Sequence, residues 1–163
     1  MKPLLVLCLG NEILSDDALG KVVAEQLIND ESITDYCDVI FTSQAGFALL
    51  DLLKEREATL IVDTIKTQVS RPGTIHFFPM DRFAPSLNLV NSHQISLPTA
   101  VKLGTSLGYS MPRSIEVIAV EASDVETLSE SMTEGVKRAL PDVIDQIREW
   151  IGKRVSEGQA NVN

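Results

Sequence analysis

Short apolar runs alternate along the chain with segments in which apolar residues recur at helical spacing. The apolar runs are short and nearly continuous, which is typical of strands buried on both faces of a parallel sheet. Three such runs in the first half predict strands at residues 3–9, 38–42 and 59–63. Helical spacing between them, carried by Leu19, Val22, Val23 and Leu27 in the first case, predicts helices at 17–30 and 46–53.

In the second half of the chain, one connection between predicted strands is too short to contain a helix. Only about ten residues, with Pro72 and Gly73 among them, separate the third strand from a strand predicted at 74–78, and a helical crossover needs more chain than that. We therefore expect this strand to lie antiparallel at a sheet edge. Three further elements follow: a helix at 97–107, a strand at 115–120, and a helical segment at 125–154 interrupted or restarted at Pro141.

This pattern predicts an α/β fold with a three-layer sandwich architecture. We expect a mostly parallel, twisted five-stranded sheet with one antiparallel edge strand and helices on both faces. A length of 163 residues suits one domain. We predict that the domain spans residues 1–155 and that residues 156–163 form a polar C-terminal tail.

Composition narrows the range of partners and compartments. The net charge is −9, from 14 basic and 23 acidic residues, which disfavours binding to nucleic-acid phosphate. Apolar runs fall short of the roughly 20 residues of a membrane span, and residues 1–9 lack the small-residue cleavage site of a signal peptide. Cys8 and Cys37 offer neither a disulfide framework nor paired metal spacing, so we expect buried free thiols in a reducing compartment. The sequence thus predicts a cytoplasmic protein without nucleic-acid or membrane partners.

Candidate chemistry lies where the predicted strands end. Asp16 and Asp17 follow the first strand, Asp63 ends the third, and His93 sits in the loop Asn91-Ser92-His93-Gln94 before a helix. Carboxyl ends of neighbouring parallel strands form the binding edge of such sheets, and the first and third strands are plausible neighbours. Two carboxylates and an imidazole are suitable ligands for Ni or Zn, and they could also act in general acid–base catalysis on a bound water.

Each of these residues also has a structural explanation. Asp16 is predicted to cap the following helix, whereas Asp17 lies one position further on and is assigned to the site. Asp63 is costly at the end of an apolar strand without a partner or a cation. A lone histidine such as His93 is more often satisfied by its surroundings than bound to metal, and His76 is expected on a strand face without a site role. The residues by themselves predict a metal or acid–base site without identifying the reaction.

The same residues carry a resemblance to a known family. The opening block Leu5-Val6-Leu7-Cys8-Leu9-Gly10-Asn11, continued by Ser15-Asp16-Asp17-Ala18-Leu19-Gly20, resembles that of the hydrogenase maturation endopeptidases, which trim the C-terminal extension of the [NiFe]-hydrogenase large subunit. Ile61-Val62-Asp63 and Ser92-His93-Gln94 match the family's later elements at similar spacing. The resemblance extends to about residue 150.

This resemblance implies a nickel-dependent endopeptidase with a defined site. Asp17, Asp63 and His93 would contact the metal and take part in catalysis. The nickel would be supplied by the partner, a [NiFe]-hydrogenase large-subunit precursor already loaded with metal. The sequence leaves two alternatives open: a non-cleaving protein or chaperone that senses the nickel-loaded precursor, and an unrelated metal-dependent peptidase of similar architecture.

Overall fold

The computed structural model describes residues 1–80 and 97–160, which form a five-stranded sheet with helices on both faces. The strands are β1 (Leu4–Leu9), β2 (Cys37–Thr42), β3 (Ala58–Ile65), β4 (Ile75–Pro79) and β5 (Ser114–Glu121). The α-helices are α1 (Leu19–Leu27), α2 (Glu31–Thr34), α3 (Leu50–Leu53), α4 (Leu97–Ser106) and α5 (Glu134–Ala160). Two 3₁₀ turns, Ser15–Ala18 and Gly46–Leu49, lead into α1 and α3.

The strand order is β2-β1-β3-β5-β4. Strands β2, β1, β3 and β5 are parallel to one another, and β4 pairs antiparallel with β5 at the edge. The short connection before β4 does not carry the chain back to the other end of the sheet, so the strand runs the opposite way. The predicted mixed sheet is confirmed, and β1 lies beside β3 as expected, with Cys8 opposite Val62.

The two faces of the sheet carry separate apolar layers. Alternate residues of a strand point to opposite faces, so Val6, Leu60 and Val62 pack on one side while Leu7 and Ile61 pack on the other. The first face is covered by residues of α1 and α5: Leu19, Val23, Val136, Val143 and Ile147. The second is covered by residues from the Gly46–Leu49 turn, α3 and α4: Leu49, Leu53, Leu97 and Val101. The predicted three-layer sandwich is therefore confirmed.

The C-terminal helix differs from the prediction. Helix α5 runs without interruption from Glu134 to Ala160, with Pro141 inside it, so residues 156–160 continue the helix beyond the expected start of a tail. Proline removes one backbone donor, but Val136 before it and Val143 after it are both buried in the same apolar layer, which holds the helix together across that point. Of the described helices, α5 included, none is long and apolar enough to cross a bilayer.

The segment predicted as one helix over 17–30 is divided in the structure. Residues Ser15–Ala18 form a 3₁₀ turn, α1 covers Leu19–Leu27, and a separate short helix α2 follows. Asp30 starts α2, since its carboxylate accepts a hydrogen bond from the backbone N–H of Ser32. This is the usual role of aspartate at a helix N-terminus.

Both cysteines are buried free thiols in the sheet, as predicted. Burial raises the pKa of Cys37 to about 12, and burial likewise raises the pKa of Cys8, with the charges of Cys37 and Asp63 adding to the effect. A thiol that stays protonated is a poor nucleophile. Cys8 therefore has a packing role, although it lies just before the loop that carries Asp17.

Candidate functional site

Asp17 lies in the 3₁₀ turn that follows β1, with 7% of the residue exposed. The chain turns back sharply to reach this place. Gly10 has φ +148°, and a Cβ atom there would lie 2.1 Å from the carbonyl oxygen of Asp17. The backbone N–H of Asn11 donates to that same carbonyl at 3.1 Å. Gly10 is thus required by both its conformation and its close approach, and it brings Asp17 next to the end of β1.

Asp63 lies near the carboxyl end of β3, where it pairs with Ala119 of β5. Its side chain is partly buried, and its Oδ1 accepts a hydrogen bond from the backbone N–H of Thr64 at 2.7 Å. It shares a face of the sheet with Ile61 and Ile65. A small apolar depression at this point is lined by Leu9, Ile61, Asp63, Met80, Leu97, Pro98 and Val117.

Thr64 connects the two carboxylates. Its side chain hydroxyl donates to Asp17 Oδ1 at 3.0 Å, while its backbone N–H donates to Asp63 Oδ1. Because neighbouring strand residues point to opposite faces, Asp17 and Asp63 approach the carboxyl edge of the sheet from its two sides. The structure therefore brings together two of the three predicted site residues.

The electrostatics of this pair favour a proton or a cation. The pKa of Asp63 is raised to about 7, chiefly by burial and in smaller part by the charge of Asp17, while the hydrogen bond from Thr64 N–H opposes the shift. Burial also raises the pKa of Asp17, although hydrogen bonds from Thr64 and Asn11 oppose the shift. Two like charges in a poorly solvated place destabilise each other. A positive ion near both would relieve that repulsion.

Asp16 has a structural role different from the predicted one. Neither the Ser15–Ala18 turn nor α1 has a side-chain cap, so Asp16 does not cap the helix that follows it. Its fully buried carboxylate instead accepts four hydrogen bonds from the segment between β5 and α5. These come from Ser123 N at 2.8 Å, Asp124 N at 2.9 Å, Thr133 N at 2.6 Å and Thr133 Oγ1 at 3.0 Å. Asp16 thus ties the loop after β1 to the start of α5.

The third predicted residue, His93, lies outside the described residues. Within residues 1–80 and 97–160, no group of three or more histidine, cysteine, aspartate or glutamate side chains converges as a metal site. The described part of the candidate site therefore consists of the two carboxylates. His76 lies on β4 as expected, with its Nε2 3.3 Å from Glu121 Oε2.

Sequence reasoning missed two polar residues near this edge. The sequence pattern does not mark Thr64, because threonine is an ordinary residue of an apolar strand. Glu121 ends β5 and is buried, and its carboxylate accepts hydrogen bonds from Thr67 N at 2.8 Å, Thr67 Oγ1 at 2.9 Å and Gln68 N at 3.1 Å. It holds the loop that follows β3. Glu121 could have been predicted from its position at the end of an apolar run, the same feature that identifies Asp63.

Comparison with known proteins points to one family. A model of the hydrogenase maturation protease family matches residues 22–150. Hydrogenase 2 maturation protease of Escherichia coli (strain K12) is 27% identical to this chain over 151 residues, which cover 90% of this chain and 91% of that protein.

Solved structures agree with this result. The hydrogenase maturating endopeptidase HybD of E. coli superposes with a TM-score of 0.73 at 25% identity, over 90% of each chain. The [NiFe] hydrogenase maturation protease HybD of Thermococcus kodakarensis superposes with a TM-score of 0.70 at 20% identity, over 93% of this chain and 99% of that one. At such identity the second likeness concerns the fold.

Proposed function

This chain belongs to the hydrogenase maturation protease family, and we propose that it removes the C-terminal extension of a [NiFe]-hydrogenase large-subunit precursor in a nickel-dependent reaction. The endopeptidase activity follows from the family. The nickel requirement and the substrate are the proposal. The observation that carries it is the pair Asp17 and Asp63, two carboxylates held at the carboxyl edge of a parallel sheet by hydrogen bonds from one residue.

The nickel belongs to the substrate in this proposal. Carboxylate oxygens accept a divalent ion, and an imidazole adds the nitrogen donor that suits nickel. Asp17 and Asp63 supply the oxygens, and His93 is proposed as the nitrogen donor. The raised pKa of both carboxyl groups supports this assignment, since a metal ion can replace the proton that the free pair would otherwise favour.

Contact with a substrate-borne ion would select the substrate and orient it at the same time. A precursor without nickel lacks the group that the two carboxylates attract. A loaded precursor is anchored at one point, so the peptide bond to be cut is held at a fixed place beside the site. Such positioning lowers the barrier of a reaction substantially. We propose that this processing takes place in the cytoplasm, where the two buried free thiols remain reduced.

The test compares nickel-loaded with metal-free large-subunit precursor. We expect the protein to shorten the loaded form and to leave the metal-free form intact, as followed by mass spectrometry of the precursor. Cleavage of both forms would refute the nickel requirement. Binding of the loaded form without cleavage would support a non-cleaving sensor or chaperone in place of the peptidase.

Site variants sharpen this experiment. Asp17→Asn, Asp63→Asn and His93→Ala should each reduce processing by at least about 100-fold, because each removes a metal-contacting group while leaving a side chain of similar or smaller size. Asp51→Asn is the matched control: Asp51 is an exposed carboxylate on α3, paired with Lys54, and its removal should leave the rate unchanged. A wild-type rate in any of the three site variants would remove that residue from the mechanism.

A further inference from the structure

Thr64 is a buried polar residue with contacts to both candidate site carboxylates. Only 1% of the residue is exposed, and it lies on β3 opposite Val120 of β5, on the face where Val62 and Val120 pack. Its hydroxyl lies 3.0 Å from Asp17 Oδ1, across 47 positions of sequence. Its backbone N–H lies 2.7 Å from Asp63 Oδ1.

A hydroxyl is not needed at this position for packing. Valine has nearly the same shape and is the more usual residue inside a parallel strand. A buried hydroxyl costs free energy unless it is hydrogen-bonded, and Thr64 meets that need by donating to a carboxylate. Such charge-assisted hydrogen bonds are the stronger kind.

The two bonds of Thr64 differ in origin. The bond to Asp63 comes from the strand backbone, so it depends on the sheet and persists whatever side chain Thr64 carries. The bond to Asp17 comes from the side chain alone. Asp17 lies in a turn, without strand pairing of its own to hold its carboxylate in register with Asp63. The hydroxyl therefore links the carboxylate of Asp17 directly to the strand.

We propose that Thr64 is a positioning residue that sets the carboxylate of Asp17 relative to that of Asp63, and so prepares the pair to receive the substrate's metal ion. This inference deepens the proposed function and rests on it for its kinetic consequence. Its structural consequence, the orientation of the Asp17 carboxylate, is independent of any substrate.

The chain offers a matched control on the same strand. Thr59 is also fully buried on β3, at the opposite end, and its hydroxyl has no hydrogen-bond partner among the described residues. Thr59→Val therefore makes the same chemical change as Thr64→Val without removing a hydrogen bond. Thr64→Ser keeps the hydroxyl and removes only a methyl group. Thr64→Ala serves as a second variant without a hydroxyl if valine does not fold.

Two measurements test the proposal. The processing rate of each variant is corrected for its folded fraction, which circular dichroism measures. In processing of nickel-loaded precursor, we expect kcat/KM to fall about 10- to 100-fold in Thr64→Val, to return to within about 5-fold of wild type in Thr64→Ser, and to be unchanged in Thr59→Val. In ¹³C NMR of the free protein, the side-chain carboxyl resonance of Asp17 should shift in Thr64→Val and not in Thr59→Val.

Failure of the positioning role and failure of the proposed peptidase function give different results. If the wild type cleaves loaded precursor and Thr64→Val cleaves as fast, the positioning role is refuted and the proposed function stands. Equal loss in Thr64→Ser and Thr64→Val would also refute it, because the hydroxyl would then not be the cause. If the wild type does not cleave, the proposed function fails, and an unmoved Asp17 resonance in Thr64→Val would refute the positioning role independently.

Discussion

Asp16 and Asp17 are adjacent in the chain, yet their carboxylates have different surroundings. Asp16 is fully buried and accepts four hydrogen bonds from the segment between β5 and α5. Asp17 accepts its side-chain bond from Thr64 and lies next to the charge of Asp63. A carboxylate whose lone pairs are satisfied by backbone donors stabilises the fold, whereas one that faces a like charge is available for a cation.

Asp16→Ala should therefore destabilise the protein. It leaves buried backbone N–H groups and a hydroxyl without their acceptor, and we expect a loss of about 3 kcal/mol in the free energy of unfolding, more than the roughly 1 kcal/mol typical of a lost helix cap. Urea titration followed by circular dichroism measures it. Asp17→Asn, which keeps an acceptor oxygen toward Thr64, is the comparison and should cost clearly less. Loss of processing in a fully stable Asp16→Ala would exchange the roles of the two residues.

Asp63 should make stability depend on pH. Its pKa is about 7 in the folded protein against an ordinary value of 3.8, so the folded state binds more protons than the unfolded state between those values. The contribution to stability is then present in acid and is lost as the pH rises toward and through 7. We expect the free energy of unfolding to fall between about pH 4 and pH 7, with a shallower fall in Asp63→Asn. An equal slope in Asp63→Asn and in the wild type would contradict the assignment.

At the scale of elements, the site depends on how closely α1 approaches β1. Gly20 lies in the first turn of α1, and a Cβ atom there would come within 2.1 Å of the carbonyl oxygen of Leu9. Together with Gly10, it allows the turn that carries Asp17 to lie directly against the end of the strand. The two glycines of the opening block thus explain why that block has its particular spacing.

Gly20→Ala tests this close contact. The added methyl group must push α1 away from backbone atoms, and we expect a cost of about 2 kcal/mol in the free energy of unfolding together with slower processing, since Asp17 moves with the turn. Gly152→Ala is the matched control, because Gly152 lies in α5 with open space around its Cβ position. That variant should be neutral or slightly stabilising, as alanine favours helix. Equal effects of the two substitutions would show that space at Gly20 is not the constraint.

At the scale of the whole molecule, the sandwich presents its functional residues on one edge. Apolar layers cover both faces of the sheet, so polar groups concentrate where strands end. Asp17, Asp63 and Glu121 all lie at the carboxyl ends of β1, β3 and β5, whereas Arg56 and the Glu116–Arg154 ion pair lie toward the opposite end. Membership of the hydrogenase maturation protease family removes the alternative of an unrelated metal-dependent peptidase.

The sequence by itself determined the class of the fold and the edge that carries the site. Buried parallel strands are apolar throughout, so continuous apolar runs identify them in the sequence. The short connection before β4 indicates an antiparallel edge strand. Asp17 and Asp63 were singled out because polar residues directly after such runs gather at one edge. These inferences use neighbours in sequence, where periodicity and strand ends are local properties.

Tertiary structure decided what depends on distant contacts. Pro141 looked like a helix start, but burial of the flanking side chains against the sheet keeps α5 continuous. The position of Asp16 predicts a helix cap, but its hydrogen-bond donors lie 107 to 117 positions away. Thr64 likewise donates to Asp17, which lies 47 positions away. Hydrogen bonds across such separations form only when the sheet and its helices are assembled, because no local pattern encodes which buried donor meets which acceptor.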